Sequence, residues 1–317
     1  MNGDIFPGVP RVESPVFSSD DLSDLDQNER DLADQLHSLG YAVFDFPDPD
    51  LDARIERIKS NLGPRFGIPF DDPGADKTKG ERRLQDAWKL DTDVKAIASN
   101  PIVLRWLSNL YRREAFPFQT LNFPVGTQQG VHSDAVHFSS LPERFMCGVW
   151  VAMEDVSADA GPLFYVPGSH KWPIISNSMI GRRGYGGELN SAQDPFEDAW
   201  RQLCETHQVK QEPFLAKKGQ ALIWSANLLH GGSKQLDPTL TRWSQVTHYY
   251  FEDCIYYTPA FSDEALGQLQ TRDMVAIHDG QPRSPRYLGE AVFDTKDATK
   301  PNFSKRMTRP IRRFFGC

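Results

Sequence analysis

The stretch "GVHSDAVHF", residues 130–138, sets two histidines and an aspartate within a few positions. His132 and Asp134 are two apart, so on an extended backbone they share a face while Ser133 points the other way. An imidazole and a carboxylate on one face are ligand types for a divalent metal, but two ligands do not close a site. Far along the chain the strand-like run "GQALIWSA" leads into "NLLHGGS" and sets His230 at a strand end. Two histidines and one carboxylate leave open positions on an octahedral ion, an arrangement suited to non-haem Fe(II) working on O2. H-x-D by itself is a weak signal, and the strand-end histidine makes it more specific. Arg242 adds a further element. The turn "GGSKQLDPTLT" separates it from His230, and an antiparallel return would bring its guanidinium beside the metal. A guanidinium takes a carboxylate by two parallel hydrogen bonds, each worth about 1.5–3 kcal/mol. A dicarboxylate that chelates iron at one end and meets Arg242 at the other is 2-oxoglutarate. On its own, Arg242 would equally suit a surface salt bridge.

These residues need elements to hold them. Residues 1–24, rich in Pro and Ser, read as an irregular arm. "SSDDLSDLDQNERDLADQLHSLG" reads as a helix start and stop, with Ser and Asp to cap its beginning, leucines at helical spacing and a terminal glycine, and "YAVFDF" follows as a strand. "LDARIERIKSNLG" and "PIVLRWLSNLYRR" are two more amphipathic helices. Then the texture changes to short aromatic or β-branched runs: "FPFQTLNF", "MCGVWVAMEDV", "GPLFYVPGS", "GQALIWSA" and "RWSQVTHYYFED". Helices first and short strands later predict an antiparallel sandwich or barrel with helices packed outside, mostly β with flanking helices, over 25–255. Segment 173–213 interrupts the strands. It is long, carries "GRRGYGG", and is expected to form a mobile lid. Residues 256–317 are expected to pack on the same domain as a C-terminal extension.

"VHSD", "GPLFYVPGSHKWP", "LLHGGS" and the following Arg242 resemble the phytanoyl-CoA dioxygenase family of Fe(II)/2-oxoglutarate oxygenases. The most specific piece is Gly161, Leu163, Pro167, Gly168, Ser169 and His170. The resemblance implies a double-stranded β-helix, the jelly-roll of cupin-like proteins. It implies His132, Asp134 and His230 as iron ligands and Arg242 as partner of the distal 2-oxoglutarate carboxylate. It also suggests Trp150 packed on the co-substrate, with contacts from Gln119 and Asn122. Ser233 is a further contact, although the family's serine falls where this chain has Gly232. The implied cofactors are Fe(II), 2-oxoglutarate and O2. The implied reaction hydroxylates an unactivated C–H, releasing succinate and CO2. Asp134 favours hydroxylation, since halogenating relatives carry a small residue there.

His137, Phe138, Arg144, Arg182, Arg183 and His248 are the expected substrate contacts, with Tyr165 and Trp172 at the entrance. His170 is expected to hold loop backbone. The arginine pair suggests a small or carrier-linked substrate, anionic or sugar-containing. A net charge of −8 argues against a nucleic-acid binder, although the basic run "KRMTRPIRRFF" offers a membrane-surface contact. Cys147, Cys204, Cys254 and Cys317 show no CxxC spacing. No signal segment or apolar span is visible, so the expected location is cytoplasmic. Two other readings fit the same residues: a cupin-like metal-dependent isomerase or epimerase, and a non-catalytic scaffold of the same fold.

Overall fold

Local side-chain chemistry sets the helix boundaries in the computed structural model, which describes residues 5–18, 22–186 and 192–292. Asp26 caps α1 (Gln27–Leu39). Its carboxylate accepts from Glu29 N–H, and the Glu29 side chain accepts from Asp26 N–H. Gly40 then stops the helix at φ +84°, a conformation that disfavours any side chain. The strand β1 (Tyr41–Asp45) and α2 (Leu51–Leu62) follow. A two-residue strand, β2 (Leu84–Gln85), and α3 (Thr92–Ala98) carry no clear sequence signal, because each is too short to show a period. Asp91 nevertheless caps α3, and Asn100 caps α4 (Pro101–Tyr111), which begins on its proline.

The remaining chain is mostly antiparallel strand: β3 (Ala115–Phe123), β4 (Ser139–Leu141), β5 (Met146–Ala152) and β6 (Leu163–Tyr165). After α5 (Glu197–Thr206) come β7 (Glu212–Phe214), β8 (Gln220–Ser225), β9 (His230–Gly232), β10 (Ser244–Phe251) and β11 (Ile255–Tyr257). The larger sheet runs β1-β8-β5-β10-β3-β2, and the smaller runs β7-β6-β9. The pair forms the expected double-stranded β-helix. Strand alternation divides the large sheet into two faces. Val149, Val151, Ala221 and Ile223 bury against helix residues such as Leu36, Ile55, Ile97 and Leu107. Trp150, Leu222, Trp224 and Val246 face the other way, toward Tyr165 of the small sheet.

Two expectations about connectivity need correction. His230 does not end the strand of "GQALIWSA". A turn closed by Leu228 N–H to Ser225 O (2.9 Å) carries the chain out of β8, and His230 opens β9 in the other sheet. Nor does Arg242 return beside β9 as a hairpin. It precedes β10, which pairs with β3 and β5. The two residues are brought together across the sandwich, not along one sheet.

The "PGSH" turn fastens these layers. Gly168 N–H donates to Leu39 O (2.8 Å), and the His170 ring donates to His37 O (3.1 Å), both at the end of α1. Ser169 Oγ accepts from Leu229 N–H (2.8 Å), and Asn227 donates to His170 O and Trp172 O. His170 is thus structural, as expected, and its turn fixes the loop that delivers His230. The insertion packs as well: Ile175, Phe196 and Trp200 bury with Val136, Val166, Leu229 and Ala260. Asn177 donates to Pro259 O and Ser262 O, which anchors the insertion on the C-terminal extension. That extension is tied to the body by β11 pairing with β4. Part of "GRRGYGG" and all of the basic C-terminal run lie outside the described residues.

A Cβ on Gly40 would overlap the His170 ring as well as strain the left-handed backbone. Gly40→Ala should therefore cost about 1–3 kcal/mol. The expected result is a lower denaturant midpoint with an unchanged slope. A midpoint within error of wild type would mean the turn is not held as described.

Candidate active site

His132 and His230 belong to segments distant in sequence, yet their backbones form a reciprocal bridge: His132 N–H to His230 O at 2.9 Å, and His230 N–H to His132 O at 3.0 Å. The two rings therefore stand side by side, with centroids 4.3 Å apart. Ser133 turns away, as the two-residue spacing predicts. Its hydroxyl donates to Ala226 O (3.0 Å) and accepts from Ala135 N–H (3.2 Å). That caps a short 3-10 turn from Asp134 to Val136 and swings the Asp134 carboxylate back under the two rings. Asp134 Oδ1 lies 3.8 Å from His132 Nε2, and Oδ2 lies 3.8 Å from His230 Nε2. The ligand atoms of all three residues fall within 4.8 Å of one another, and all three side chains are buried.

The tautomers suit metal binding. Each Nδ1–H donates to a backbone carbonyl two residues earlier, His132 to Gly130 (2.9 Å) and His230 to Leu228 (3.0 Å). Each ring's Nε2 is left facing Asp134. Burial, reinforced by His230, pushes the His132 ring down to about 3, so it is neutral at physiological pH. Burial alone would raise the Asp134 carboxyl. The neighbouring His230, His248 and His132 outweigh that and hold it well below the usual carboxylate range. A buried carboxylate with two imidazoles is the donor set that the sequence suggests for Fe(II).

Arg242 supplies a second buried charge. It is 1% exposed, and its backbone N–H donates to Pro124 O (2.8 Å). Its guanidinium lies 5.8 Å from the Trp150 ring, and neither Nε nor Nη1 has a hydrogen-bond partner. Burial pushes it down to about 10, still charged at physiological pH, against the opposing influence of Tyr165 and Glu154. Tyr165 Oη and Trp150 Nε1 are likewise buried without partners. All three line one cavity of about 330 Å³ that also holds His132, Asp134 and His230. Its walls come from both sheets, so it sits between them.

Gln119, His137, Phe138 and His248 also line this cavity. His248 lies with Nε2 3.7 Å from Asp134 Oδ2, and its Nδ1 engages Gln119 Oε1 at 3.0 Å. The other expected contacts lie elsewhere. Asn122 is an odd number of residues from Gln119, so it faces the helices and donates to Gln245 Oε1 (3.2 Å). Ser233 is outside the cavity wall, its backbone tied to Pro162 O. Arg144 pairs with Glu13 (2.5 Å) and donates to His170 O, holding the N-terminal arm. Arg182 is bound by Asn177 Oδ1 and Ala260 O, and Arg183 pairs with Asp263 (2.6 Å). Trp172 stacks on His207. Internal partners thus take up the arginines that were expected to meet substrate.

Sequence reasoning missed Trp224. Its indole Nε1–H donates to Asp134 Oδ2 at 2.9 Å. The indole lies over Gly148 on the neighbouring strand β5, where any Cβ would collide with the ring. Nothing local marks Trp224, because an apolar strand residue reads as core whichever atom it aims. Arg83, Gln85, Thr127, Gln129 and Gln193 were also missed. They come from loops, a two-residue edge strand and the insertion, none of which carries a periodic signal.

Trp224→Phe removes one donor from Asp134 while keeping an aromatic over Gly148. Loss of such an outer hydrogen bond to a ligand costs about 10- to 100-fold in metal affinity. Metal titration should find that loss, with far-ultraviolet circular dichroism unchanged. Wild-type affinity would mean that the remaining neighbours suffice to orient Asp134.

Comparison with known proteins places this geometry in a wider set. A probable phytanoyl-CoA dioxygenase from Caenorhabditis elegans is 27% identical over 110 residues, which is 35% of this chain and 32% of that protein. The matched stretch thus spans about a third of the relative's length. Among solved structures, the non-heme alpha ketoglutarate dependent carbocyclase SnoK from nogalamycin biosynthesis superposes with a TM-score of 0.56. It is 15% identical, and the match covers 83% of this chain and 95% of SnoK. EctD from S. alaskensis with 2-oxoglutarate and 5-hydroxyectoine gives 0.55 at 17% identity, covering 81% and 86%. The epimerase SnoN of the same pathway gives 0.53 at 17%, covering 85% and 96%. Likeness at this level of identity establishes the fold. Residues 42–236, more than half of the chain, match the phytanoyl-CoA dioxygenase (PhyH) family model, and the chain belongs to that family.

Proposed function

We propose that this chain is an Fe(II)- and 2-oxoglutarate-dependent dioxygenase that hydroxylates an unactivated C–H of a small molecule. The observation that carries the reading is the buried Arg242, with two unpartnered guanidinium nitrogens, in the same cavity as the His132–Asp134–His230 cluster. An unpaired buried cation is costly, and a bound carboxylate removes that cost. A dicarboxylate that also reaches a metal at the cluster satisfies both ends. Family membership and the fold support the same chemistry. A metal-dependent isomerase without a co-substrate has no use for the Arg242 guanidinium, and a non-catalytic scaffold has no use for the ligand cluster.

When bound, iron with 2-oxoglutarate and O2 supplies the oxidising power, and succinate and CO2 are released. This chain's residues do the rest. His132, Asp134 and His230 would hold the metal, three donors that leave further coordination positions for co-substrate and oxygen. Arg242 takes the distal carboxylate of 2-oxoglutarate, with the Trp150 ring alongside. Tyr165 Oη and Trp150 Nε1, both without partners among the described residues, are further donors in the wall of the same cavity. Leu121, Phe123, Leu163 and Val246 line the cavity with apolar surface and exclude water from the reacting atoms. His137 and Phe138 line the same cavity and are the candidate substrate contacts.

Anaerobic titration with Fe(II) and 2-oxoglutarate, followed by succinate measurement under O2, tests the reading directly. Arg242→Leu should weaken 2-oxoglutarate binding about 10- to 100-fold while leaving iron affinity close to wild type. The same variant should leave the thermal midpoint of the metal-free protein unchanged or raised, since it removes an uncompensated buried charge. Equal losses for metal and co-substrate would assign Arg242 a structural role.

A further inference from the structure

The cavity contains a second arginine of a different kind. Arg83 directly precedes the edge strand β2, whose Leu84 and Gln85 pair with Asn122 and Leu121 of β3. It lines the cavity and is exposed at its mouth. Among the described residues it has no hydrogen-bond or ion-pair partner, unlike several other arginines of the chain. Arg54 and Arg57 share Asp93, Arg144 holds Glu13, and Arg183 holds Asp263. Among the described residues no carboxylate other than Asp134 lines the cavity. A second cation, Arg272, stands behind the mouth with its guanidinium 4.8 Å over the Phe138 ring, and its Nε is buried without a partner.

Charge accounting makes Arg83 informative. This step rests on the iron and 2-oxoglutarate reading above. The metal dication, the Asp134 carboxylate, the 2-oxoglutarate dianion and the Arg242 cation cancel. Arg83 remains as uncompensated positive charge on the side of the cavity where Gln85, Gln119 and His137 offer hydrogen bonds. We propose that Arg83, with His137 beside it, binds an anionic group of the substrate, a carboxylate or a phosphate, at the mouth of the cavity. The anion then fixes how far the rest of the molecule reaches toward the metal, so Arg83 determines specificity without touching the reacting atoms. The amides of Gln85, Gln119 and Gln129 line the interval and suit a substrate with hydroxyl or amide functions. The cavity volume, shared with the co-substrate, favours a small anion.

A panel of small carboxylic acids and phosphate monoesters, each paired with its neutral amide or alcohol, tests this on the iron-loaded enzyme. Succinate formed above the substrate-free rate is the first readout. Stimulating compounds should be anionic, and each neutral partner should need at least tenfold more for the same effect. Whether carboxylates or phosphates stimulate identifies the anion. Arg83→Gln should raise the half-saturating concentration of the stimulating anions about tenfold, and Arg83→Lys should recover most of that loss. Anaerobic calorimetry of the best compound should give the same ratio of dissociation constants without turnover, while the constant for 2-oxoglutarate changes less than threefold. Stimulation by neutral compounds, the absence of any stimulating anion, or indifference to Arg83→Gln would each overturn the proposal. A wild-type enzyme that forms no succinate at all would instead overturn the iron and 2-oxoglutarate reading.

Discussion

A carboxylate that stays ionised while buried is the constraint around which this molecule is arranged. Removing Asp134 from water disfavours its charge, and only groups aimed at it restore the balance. They arrive from separate parts of the chain. His230 comes from β9, Trp224 from β8 and His248 from β10, and His132 from the loop after β3. Each has its own requirement. Trp224 needs the space left by Gly148, His230 needs the backbone bridge to His132, and His248 is turned by Gln119. The two sheets must therefore close to nearly their final spacing before the carboxylate is satisfied. A metal at the cluster would add a favourable charge to a site that the protein already holds in the ionised form.

Arg242 is the opposite case. Asp134 is surrounded by partners, whereas the Arg242 guanidinium is buried with open donors. Other arginines in the same chain are satisfied internally: Arg144 by Glu13 and a carbonyl, Arg182 by Asn177 and a carbonyl, Arg183 by Asp263. An arginine with a fixed partner stabilises a loop or an arm. An arginine held in place without one is available to a ligand, and burial makes that ligand's charge matter more. The distinction between structural and binding arginines here lies in unsatisfied hydrogen bonds and not in position along the sequence.

The same distinction explains what could be read from the sequence. Period and punctuation gave the three longer helices and the main strands, since buried faces repeat and caps have definite chemistry. The His132–Asp134–His230 cluster was legible because His132 and Asp134 are local and His230 sits in a recognisable "HGG" segment. Arg144, Arg182 and Arg183 were assigned to substrate because a sequence displays charge but not the acid that neutralises it. Glu13 lies 131 residues from Arg144, and Asp263 lies 80 from Arg183. Asn122 failed on parity with Gln119, a test the sequence did contain. Trp224 was invisible because its role depends on one nitrogen and on a glycine of a neighbouring strand.

The division of labour within the cavity follows from how its walls are tied. His132, Asp134 and His230, the candidate ligands, stand on segments held by reciprocal backbone bonds and by the "PGSH" turn, which links α1 to the loop before His230. Moving one ligand would break several hydrogen bonds at once. The mouth is built differently. Gln85 belongs to a two-residue edge strand, and Arg83 directly precedes it. Gln193 comes from the insertion, where it accepts from Gln129 (2.5 Å) and donates to Glu197. Side chains there can change without disturbing the ladder hydrogen bonds of either sheet or the burial of Asp134. Such a scaffold can keep the His132–Asp134–His230 cluster constant while a few peripheral residues at the mouth vary. Substrate preference should accordingly be sought first at the mouth, where the ties are few, and not among the segments that carry His132, Asp134 and His230.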